Sequence, residues 1–505
     1  MGKIKIICFV FSFALFVFIP SNSFAQEDML KKPITAEFKN VRLNDAFRQI
    51  EKQISIYFAF DGSILDINRK ITKSFKDTPL DKCLDEMLED SSLFYKVIEN
   101  HVVIRCCKQF TPVKIDTIEV PKFLTLSGRI FDRINRDPLP FASVGIEGQG
   151  LGVVSNSNGE FVLKIPVSLE SEQVCVSCLG YNNICLSVKE LSKTPKDFPM
   201  DRNYISIQEV IIRKTDARNL IRGAIKNREK NYSNVPVYLT GFYREAVNKS
   251  KKYMFYSEAV MQIYKSSYTS EYDADMVKIL KSRKMQDISM EDTVVVKLKS
   301  GLQASLGLDI VKNPSDFLNE ENFDQYKYVM SDIVSIDNRS AYLIEFEPRE
   351  NADEALFEGK LYIDIQTLAI ISCQFGISKS KIRENQGRFI AKKDKGIKLK
   401  ISNISYEVSY RQIGDKYYLN YARGDINMRV RKKSRLFFFD FDISFELAIN
   451  DLETNSVERF KRKDAARLET IFFDEIYAYD ESFWKQYNFI LPDKSLEEAF
   501  RKSRK

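Results

Sequence analysis

The stretch that decides the fold of this chain is PLPFASVGIEGQGLGVVSNSNGEF, residues 138–161, which contains five glycines. A dinucleotide-binding fingerprint requires G-x-G-x-x-G between a strand and a helix. Here Gly148, Gly150 and Gly152 give G-x-G-x-G, and the residues that follow them have no helical periodicity. The glycines therefore indicate bends, bulges or close backbone approaches within a β-domain, and not a phosphate site.

Alternating residues around these glycines predict three short strands, of which the middle one is GVVS. The dipeptide Asn158-Gly159 predicts a two-residue hairpin, because a type I′ turn requires a positive φ at both positions. The inward-facing positions of the first and third strands are Ala142, Val144 and Ile146, then Phe161, Leu163 and Ile165.

The sequence from residue 125 to about residue 190 resembles the carboxypeptidase-regulatory-like (CarboxypepD_reg-like) domain. The resemblance rests on LSGRIFDRINRDPLPFASVGIEGQGLGVVSNSNGEFVLKIP and on VCVSCLGYN further along. Asn158 stands where the family often has an acid, a change that a turn tolerates. The resemblance implies a non-catalytic β-sandwich, at residues 125–200, of a kind often placed before outer-membrane proteins.

A linker or closing strand, residues 201–216, follows this domain and contains ISIQEVIIRK. The segment is similar to one that follows the sandwich in large outer-membrane nutrient receptors, near their energy-coupling segment. Two interpretations stay open, a closing β-strand and a contact with a TonB-type coupling protein. For the second, the partner-binding candidates are Glu209, Val210, Ile211 and Ile212.

The N-terminal part contains an internal repeat, ITAEFKNVRLNDAFRQIEKQISIYFAF from Ile34 and ITKSFKDTPLDKCLDEMLEDSSLFYKV from Ile71. Each copy predicts a strand, an amphipathic helix and a strand, and the hydroxyl of Thr78 is predicted to cap the second helix. Residues 34–105 resemble the STN domain of secretins and signal-transducing TonB-dependent receptors. The resemblance implies a periplasmic docking module, an STN-like α/β domain at residues 26–110, followed by a linker at residues 111–124.

The first 25 residues predict a signal peptide, with two lysines, an apolar run and small residues before Gln26. We therefore expect an exported protein in the periplasm or at the periplasmic face of the outer membrane. Loss of Lys3 and Lys5 lowers the formal net charge from +7 to +5, and we expect no nucleic-acid partner. Five lysines predict a solvated surface or, alternatively, attraction to a lipid or outer-membrane surface: Lys392, Lys393, Lys395, Lys398 and Lys400.

Eight cysteines occur in the chain, and one of them, Cys8, lies in the predicted signal peptide. Cys175, Cys178 and Cys185 lie in an apolar stretch, where they are either small buried residues or include one disulfide. That disulfide would join Cys185 to Cys175 or to Cys178. A shared metal is disfavoured, because strand residues three positions apart face opposite sides.

Residues 217–505 predict a large curved antiparallel sheet, half-barrel-like, with few helices. Eight aromatic-rich runs have strand character, and a helix capped by Thr215-Asp216 precedes them. An outer-membrane barrel is the alternative, disfavoured by the charged ending SLEEAFRKSRK. The predicted fold class is thus multidomain and mainly β, with one α/β module.

Two motifs in this C-terminal domain resemble known proteins. The hairpin EFEPRENADEALFEGKLYIDIQTLAIISCQF is similar to lipoprotein-carrier-like half-barrels, which implies either an apolar ligand cavity or aromatics that fill a core. The motif TGFYRE, residues 240–245, resembles an uncharacterised β-rich domain of exported envelope proteins, and no activity comes with it.

The residues give little support for catalysis. The chain has one histidine, His101, whereas zinc peptidases and Ser-His-Asp or Cys-His enzymes need this residue type. Ser378 and Lys381 satisfy the S-x-x-K motif, but the S-D-N and K-T-G motifs that accompany it in enzymes are not found beside it. The sequence RGD at 423–425 falls inside a predicted strand. Glu345 and Glu347 share one face of a predicted strand, as a pair of catalytic carboxylates could. We assign no catalytic, cofactor or metal residue.

The leading hypothesis is a non-catalytic docking or accessory protein of a Gram-negative envelope, linked to uptake, signalling or envelope assembly. Its partner would be an envelope protein, such as a TonB-type coupling protein or an anti-sigma-type regulator. The alternatives are a carrier that binds a lipid or other apolar ligand in the C-terminal half-barrel, and a histidine-free carboxylate hydrolase.

Overall fold

The structure is a computed structural model, and its fold is mainly β, as the sequence predicts. The chain divides into two compact units, residues 1–110 and 111–505. None of the helices in the described parts is long and apolar enough to cross a membrane. The described residues are 30–54, 56–60, 65–88, 93–98, 101–106, 123–191, 196–203, 216–250, 252–270, 273–286, 301–336, 339–350, 352, 357–384, 397–433, 436–470, 472 and 487–492.

The first unit contains both predicted strand–helix–strand copies. Strand β1 pairs antiparallel with β3, and β5 lies between β2, to which it is parallel, and β4, to which it is antiparallel. Both helices are amphipathic, as predicted, and bury an apolar face. The resemblance to the STN domain stays a prediction. The elements are β1 Pro33–Arg42, α1 Leu43–Ile54, β2 Tyr57–Phe60, β3 Lys70–Pro79, α2 Leu80–Leu88, β4 Leu93–Ile98 and β5 His101–Cys106.

The predicted cap of the second helix is wrong. The hydroxyl of Thr78 donates to the backbone oxygen of Lys76 at 3.3 Å, whereas a capping hydroxyl would accept a hydrogen bond from a helix amide. Strand β3 continues to Pro79, so the helix begins only at Leu80. The extended backbone therefore holds Thr78 outside the first turn of the helix.

Residues 123–200 form a β-sandwich of two sheets, one with the order β11-β10-β7-β8 and one with the order β12-β6-β9. Their facing side chains form one apolar core, which includes the inward positions predicted for β7 and β9. The elements are β6 Phe123–Asp132, β7 Ser143–Ile146, β8 Gly152–Val154, β9 Glu160–Pro166, β10 Gln173–Ser177, β11 Ile184–Ser187, α3 Val188–Leu191 and β12 Lys196–Met200.

The predicted hairpin at Asn158-Gly159 is wrong, because β8 and β9 belong to different sheets. Only Gly159 of the pair has a positive φ, 74°. The side-chain oxygen of Asn156 accepts the amides of Asn158 and Glu160, at 2.9 and 2.8 Å. This side chain satisfies the turn locally, so the chain crosses from one sheet to the other without a type I′ turn.

The structure decides between the two disulfides left open by the sequence. Cys175 and Cys185, which are direct partners in the β10–β11 register, form the disulfide. Cys178 lies beyond the end of β10 and takes no part in it.

The C-terminal domain contains a ten-stranded antiparallel sheet, here called the large sheet, with the order β15-β14-β13-β22-β21-β20-β19-β18-β17-β16. Eight of these strands match predicted runs, whereas the two edge strands, β15 and β16, were not predicted. The strands are β13 Val237–Lys249, β14 Lys252–Lys265, β15 Met276–Gln286, β16 Tyr326–Ile336, β17 Arg339–Pro348, β18 Phe357–Asp364, β19 Ile370–Ile377, β20 Ile397–Ile413, β21 Lys416–Lys432 and β22 Phe439–Glu453.

The two faces of the large sheet differ in chemistry. The inner face, which carries Leu239, Tyr243 and Leu447, forms a large apolar core with α4 and α6. The outer face carries Arg244 and Glu446. The helices are α4 Ala217–Lys226, α5 Arg228–Asn231, α6 Gly301–Gly307 and α7 Lys379–Glu384, and the carboxylate of Asp216 caps α4 as predicted, by accepting the amide of Arg218 at 3.1 Å.

Candidate functional site

The candidate site is a cleft of about 710 Å³ between the sandwich and the outer face of the large sheet. Strands β7 and β10 supply one wall, since they bury Val144 and Val176 in the sandwich and direct Ser143 and Ser177 into the cleft. Strands β19, β20 and β21 supply the opposite wall. The volume falls within the range of natural ligand sites, roughly 300–1,000 Å³.

The glycine-rich stretch lets the large sheet approach the sandwich closely. A Cβ added at Gly145 or Gly152 would lie 2.9 or 2.5 Å from Nη1 of Arg411, and one added at Gly150 would lie 2.7 Å from the backbone nitrogen of Leu452. Nη2 of Arg411 donates to the carbonyl oxygen of Gly150 at 2.5 Å. The glycines thus serve the close backbone approach that the sequence predicts, since Gly145 and Gly152 accommodate the guanidinium of Arg411 and Gly150 accommodates Leu452.

Gly148 has a different role from the glycines that face Arg411. Its φ is +69°, and a Cβ there would meet no heavy atom within 4 Å. Gly148 therefore serves the turn between β7 and β8 and not the contact with the large sheet.

Contacts on either side of the cleft fix the sandwich against the large sheet. The ring of Phe141 stacks on Tyr421 with centroids 5.0 Å apart, and Cζ of Arg423 lies 4.9 Å from the same ring. The amide of Gly180 donates to the backbone oxygen of Ser335, at the end of β16, at 3.0 Å. The separation of the two walls is consequently set by specific contacts.

A short segment near the C-terminus also bridges the two parts. The side-chain oxygen of Asn488 accepts the amide of Lys164 at 2.7 Å, and its side-chain nitrogen donates to the Lys164 carbonyl at 3.1 Å. The backbone oxygen of Asn488 accepts from Asn450 of the large sheet at 2.6 Å. One residue therefore ties β9 of the sandwich to β22.

Glu407 is a half-buried acid in the wall of the cleft. Burial raises its pKa, against the opposing effects of Gln374, which donates to its carboxylate at 3.3 Å, and of Arg423. Around it the cleft offers neutral amide and hydroxyl groups, which can both donate and accept hydrogen bonds. These groups belong to Gln149, Asn183, Ser372, Gln374, Ser409 and Gln412.

The TGFYRE motif lies in β13 and supplies the centre of a buried ion-pair network on the outer face. Arg244 pairs with Glu258 at 2.7 Å and with Glu446 at 3.1 Å, and it donates to the backbone oxygen of Ile490 at 2.6 Å. Burial raises the pKa of Glu258, but Arg283 and Arg244 outweigh this effect, so that the pKa falls below its usual value. The motif is thus structural, because its arginine is fully engaged beneath the segment at 487–490.

A second buried network lies on the inner face. Nζ of Lys265 is fully buried and contacts Asp309 at 2.6 Å and Asp275 at 2.7 Å. Tyr410 donates to Asp309 at 2.8 Å, and Lys312 contacts Asp275 at 2.6 Å. Burial lowers the pKa of Lys265, but the two aspartates outweigh burial and raise it, which keeps the amine charged and paired.

The other residues considered from the sequence have ordinary structural environments. Glu345 and Glu347 pair with lysines on the surface, at 3.8 and 2.8 Å, so they do not share a cleft. Ser378 accepts the amide of Lys381 at the start of α7, with a distance of 3.4 Å. Arg423 and Asp425 of the RGD sequence pair with each other at 2.6 Å within β21.

The structure does not describe every residue for which the sequence predicts a role. Glu209, Val210, Ile211 and Ile212 lie outside the described residues, as do Lys392, Lys393 and Lys395. His101 begins β5. Among the residues that the structure describes, no group of three histidine, cysteine, aspartate or glutamate side chains could hold a metal ion.

Comparison with known proteins identifies one domain. Residues 126–212 match the CarboxypepD_reg-like domain, which confirms the assignment of the sandwich. The comparison with curated proteins gives no match.

Several solved structures show weak similarity to this chain. A LolA superfamily protein from Nitrosomonas europaea is 11% identical, with a TM-score of 0.21, and the alignment covers 48% of this chain and 94% of that one. A putative outer membrane lipoprotein-sorting protein domain from Vibrio parahaemolyticus is 9% identical, with a TM-score of 0.22, and the alignment covers 48% of this chain and 96% of that one. A DUF1329 family protein from Desulfovibrio piger is 12% identical, with a TM-score of 0.20, and the alignment covers 48% of this chain and 95% of that one.

Proposed function

We propose that the chain is a non-catalytic docking protein of the Gram-negative envelope, which binds an extended polypeptide segment of a partner. The segment would pair with the edge of β16 up to Ser335, whose carbonyl already accepts the amide of Gly180 at 3.0 Å, and enter the cleft beyond that point. The observation that carries the proposal is the position of β16, since it is an edge strand of the large sheet and its last residue, Ile336, lines the cleft.

The two edges of the large sheet are protected to different degrees. Each edge already accepts one amide from elsewhere in the chain, at the Val277 carbonyl of β15 and at the Ser335 carbonyl of β16, so the difference between the edges lies in their side chains. Strand β15 carries four basic residues in MVKILKSRKMQ. Strand β16, YKYVMSDIVSI, carries two charged residues and exposes 44% of Val329. Charged residues discourage strand addition, so β16 is the edge better suited to accept another chain.

The chemistry of the cleft favours a peptide backbone over a sugar or an acyl chain. Its amides and hydroxyls can both donate and accept hydrogen bonds, as the backbone of an extended peptide does, and two of them, Ser372 and Gln374, already donate to Val408 and Glu407. The ring of Phe141 already packs against Tyr421 and Arg423, and Tyr410 and Tyr421 are buried. The apolar inner face is filled by the side chains of α4 and α6. These features favour docking over lipid transport.

Selection from a random-peptide display library tests the proposal. We expect selected peptides to bind the purified protein, and Ser177→Trp, which fills the cleft from the sandwich side, to weaken binding at least tenfold. Val329→Asp is expected to weaken it as well, because a charge on the edge opposes strand addition. Binding is measured by fluorescence anisotropy.

Matched variants control for surface changes. Ser187→Trp places the same ring on a sandwich strand away from the cleft lining, and Val235→Asp places the same charge on another exposed valine, 56% exposed. Both should bind like the wild type. Peptides that bind all four variants equally, or a library that yields no binder, would refute the proposal.

A further inference from the structure

The connection between β21 and β22 exposes the two most exposed large apolar side chains among the described residues. Leu436 is 83% exposed and Phe437 is 77% exposed, and they are adjacent in sequence. Soluble proteins rarely leave neighbouring large apolar groups in water without a partner. Leu436 and Phe437 therefore mark a candidate binding surface.

Four cations lie close to the two phenylalanines that follow this apolar pair. Lys400 Nζ, Arg429 Cζ and Arg431 Cζ lie 5.6, 5.4 and 5.0 Å from the ring of Phe438. Lys249 Nζ lies 4.4 Å from the ring of Phe439. We call this region the basic tip, and it consists of Lys249, Lys398, Lys400, Arg429, Arg431, Lys433 and residues 436–439.

Few acids oppose these cations among the described residues. Asp440 is exposed and lies 3.5 Å from Arg429. Asp442 accepts from Asn427 at 2.7 Å. The register places Lys398 opposite Arg431 and Lys400 opposite Arg429, so four positive charges lie side by side on two paired strands. The charge of the tip is strongly positive.

We propose that the basic tip binds an anionic lipid surface, with Leu436 and Phe437 inserted at the level of the headgroups. Exposed apolar side chains next to a cluster of lysine and arginine suit the interface of an anionic bilayer, because the apolar groups can enter the headgroup region while the cations contact the anionic headgroups. A second copy of the chain fits poorly, since a symmetric contact through the tip would bring two sets of cations together. The proposal concerns a surface separate from the cleft residues and does not depend on peptide binding.

Vesicle flotation tests the proposal with the purified protein lacking residues 1–25. We expect binding to vesicles of phosphatidylethanolamine and phosphatidylglycerol, little binding to phosphatidylcholine alone, and release by salt. The double variant Leu436→Ser/Phe437→Ser should lose at least about tenfold in partitioning. Lys400→Gln and Arg429→Gln should each lose about fivefold.

Ile134→Ser is the matched control, since Ile134 is 76% exposed on the sandwich. It should bind vesicles like the wild type. Equal binding to anionic and neutral vesicles, or binding unchanged in the tip variants, overturns the proposal. So does a dimer in analytical ultracentrifugation that the double variant converts to a monomer, because the tip would then cover itself with a second copy.

Discussion

Gly150→Ala tests whether the glycine-rich stretch holds the sandwich against the large sheet. The added Cβ would lie 2.7 Å from both the backbone nitrogen and the Cβ of Leu452. Non-bonded heavy atoms pack at roughly 3.5–4.0 Å, so the two surfaces must separate by about 1 Å. Because backbone atoms are involved, rotation of a side chain cannot relieve the contact.

The expected cost has two parts. Overpacking of a well-packed interior costs about 1–3 kcal/mol. The separation also lengthens the hydrogen bond from Arg411 to the Gly150 carbonyl, now 2.5 Å. A bond to a charged group contributes about 1.5–3 kcal/mol, and partial loss of it brings the total to about 2–4 kcal/mol of unfolding free energy.

Urea unfolding and hydrogen exchange measure the effect of Gly150→Ala. We expect faster exchange of the amides at 150–152 and 409–412 in the variant. Gly148→Ala is the control, since its new Cβ meets no atom within 4 Å and only the positive φ costs about 1 kcal/mol. If the two variants unfold within about 0.5 kcal/mol of each other, with the same exchange, the contact does not hold the two parts together.

Three further predictions concern single groups. The folded state raises the pKa of Glu407 above its ordinary value of 4.5, so the contribution of this group to stability is present below pH 4.5 and is lost as pH rises through the folded pKa. Glu407→Gln should therefore be more stable than the wild type at neutral pH and equally stable in acid. Urea unfolding at both pH values measures this difference. Replacing Cys175 and Cys185 by serine should lower the free energy of unfolding by about 2.5 kcal/mol, given the loop of ten residues that the disulfide closes. Arg244→Ala should cost about 3 kcal/mol of unfolding free energy, measured by thermal unfolding, because the buried carboxylates of Glu258 and Glu446 each lose one cation and keep only Arg283 and Arg423. Arg133→Ala, which breaks a half-exposed ion pair, should cost under about 1 kcal/mol.

The sequence predicts the central strands well because their side chains alternate between two different environments. The two missed strands lie at the sheet edges, where this contrast is weak. Strand β15 places basic residues on both faces, as at Lys281 and Lys284. Strand β16 has exposed and half-buried positions along most of its length. Edge strands therefore carry little of the periodicity on which the prediction depends.

The candidate site is less predictable, because it is built from segments far apart in the chain. Gly150 and Arg411 are 261 residues apart, and no local pattern links them. The available signal was the row of glycines without a following helix, which indicates close approach but not what approaches. The hairpin predicted at Asn158-Gly159 failed for a related reason, since Asn156 stabilises the turn and the sandwich core directs the next strand to the other sheet.

Hydrogen exchange of β16 with and without a selected peptide tests the central claim most directly. If a partner segment pairs with this edge, the amides of residues 327–334 should exchange more slowly in the complex, together with those that line the cleft. Slower exchange elsewhere, with the β16 amides unchanged, would contradict docking at this edge.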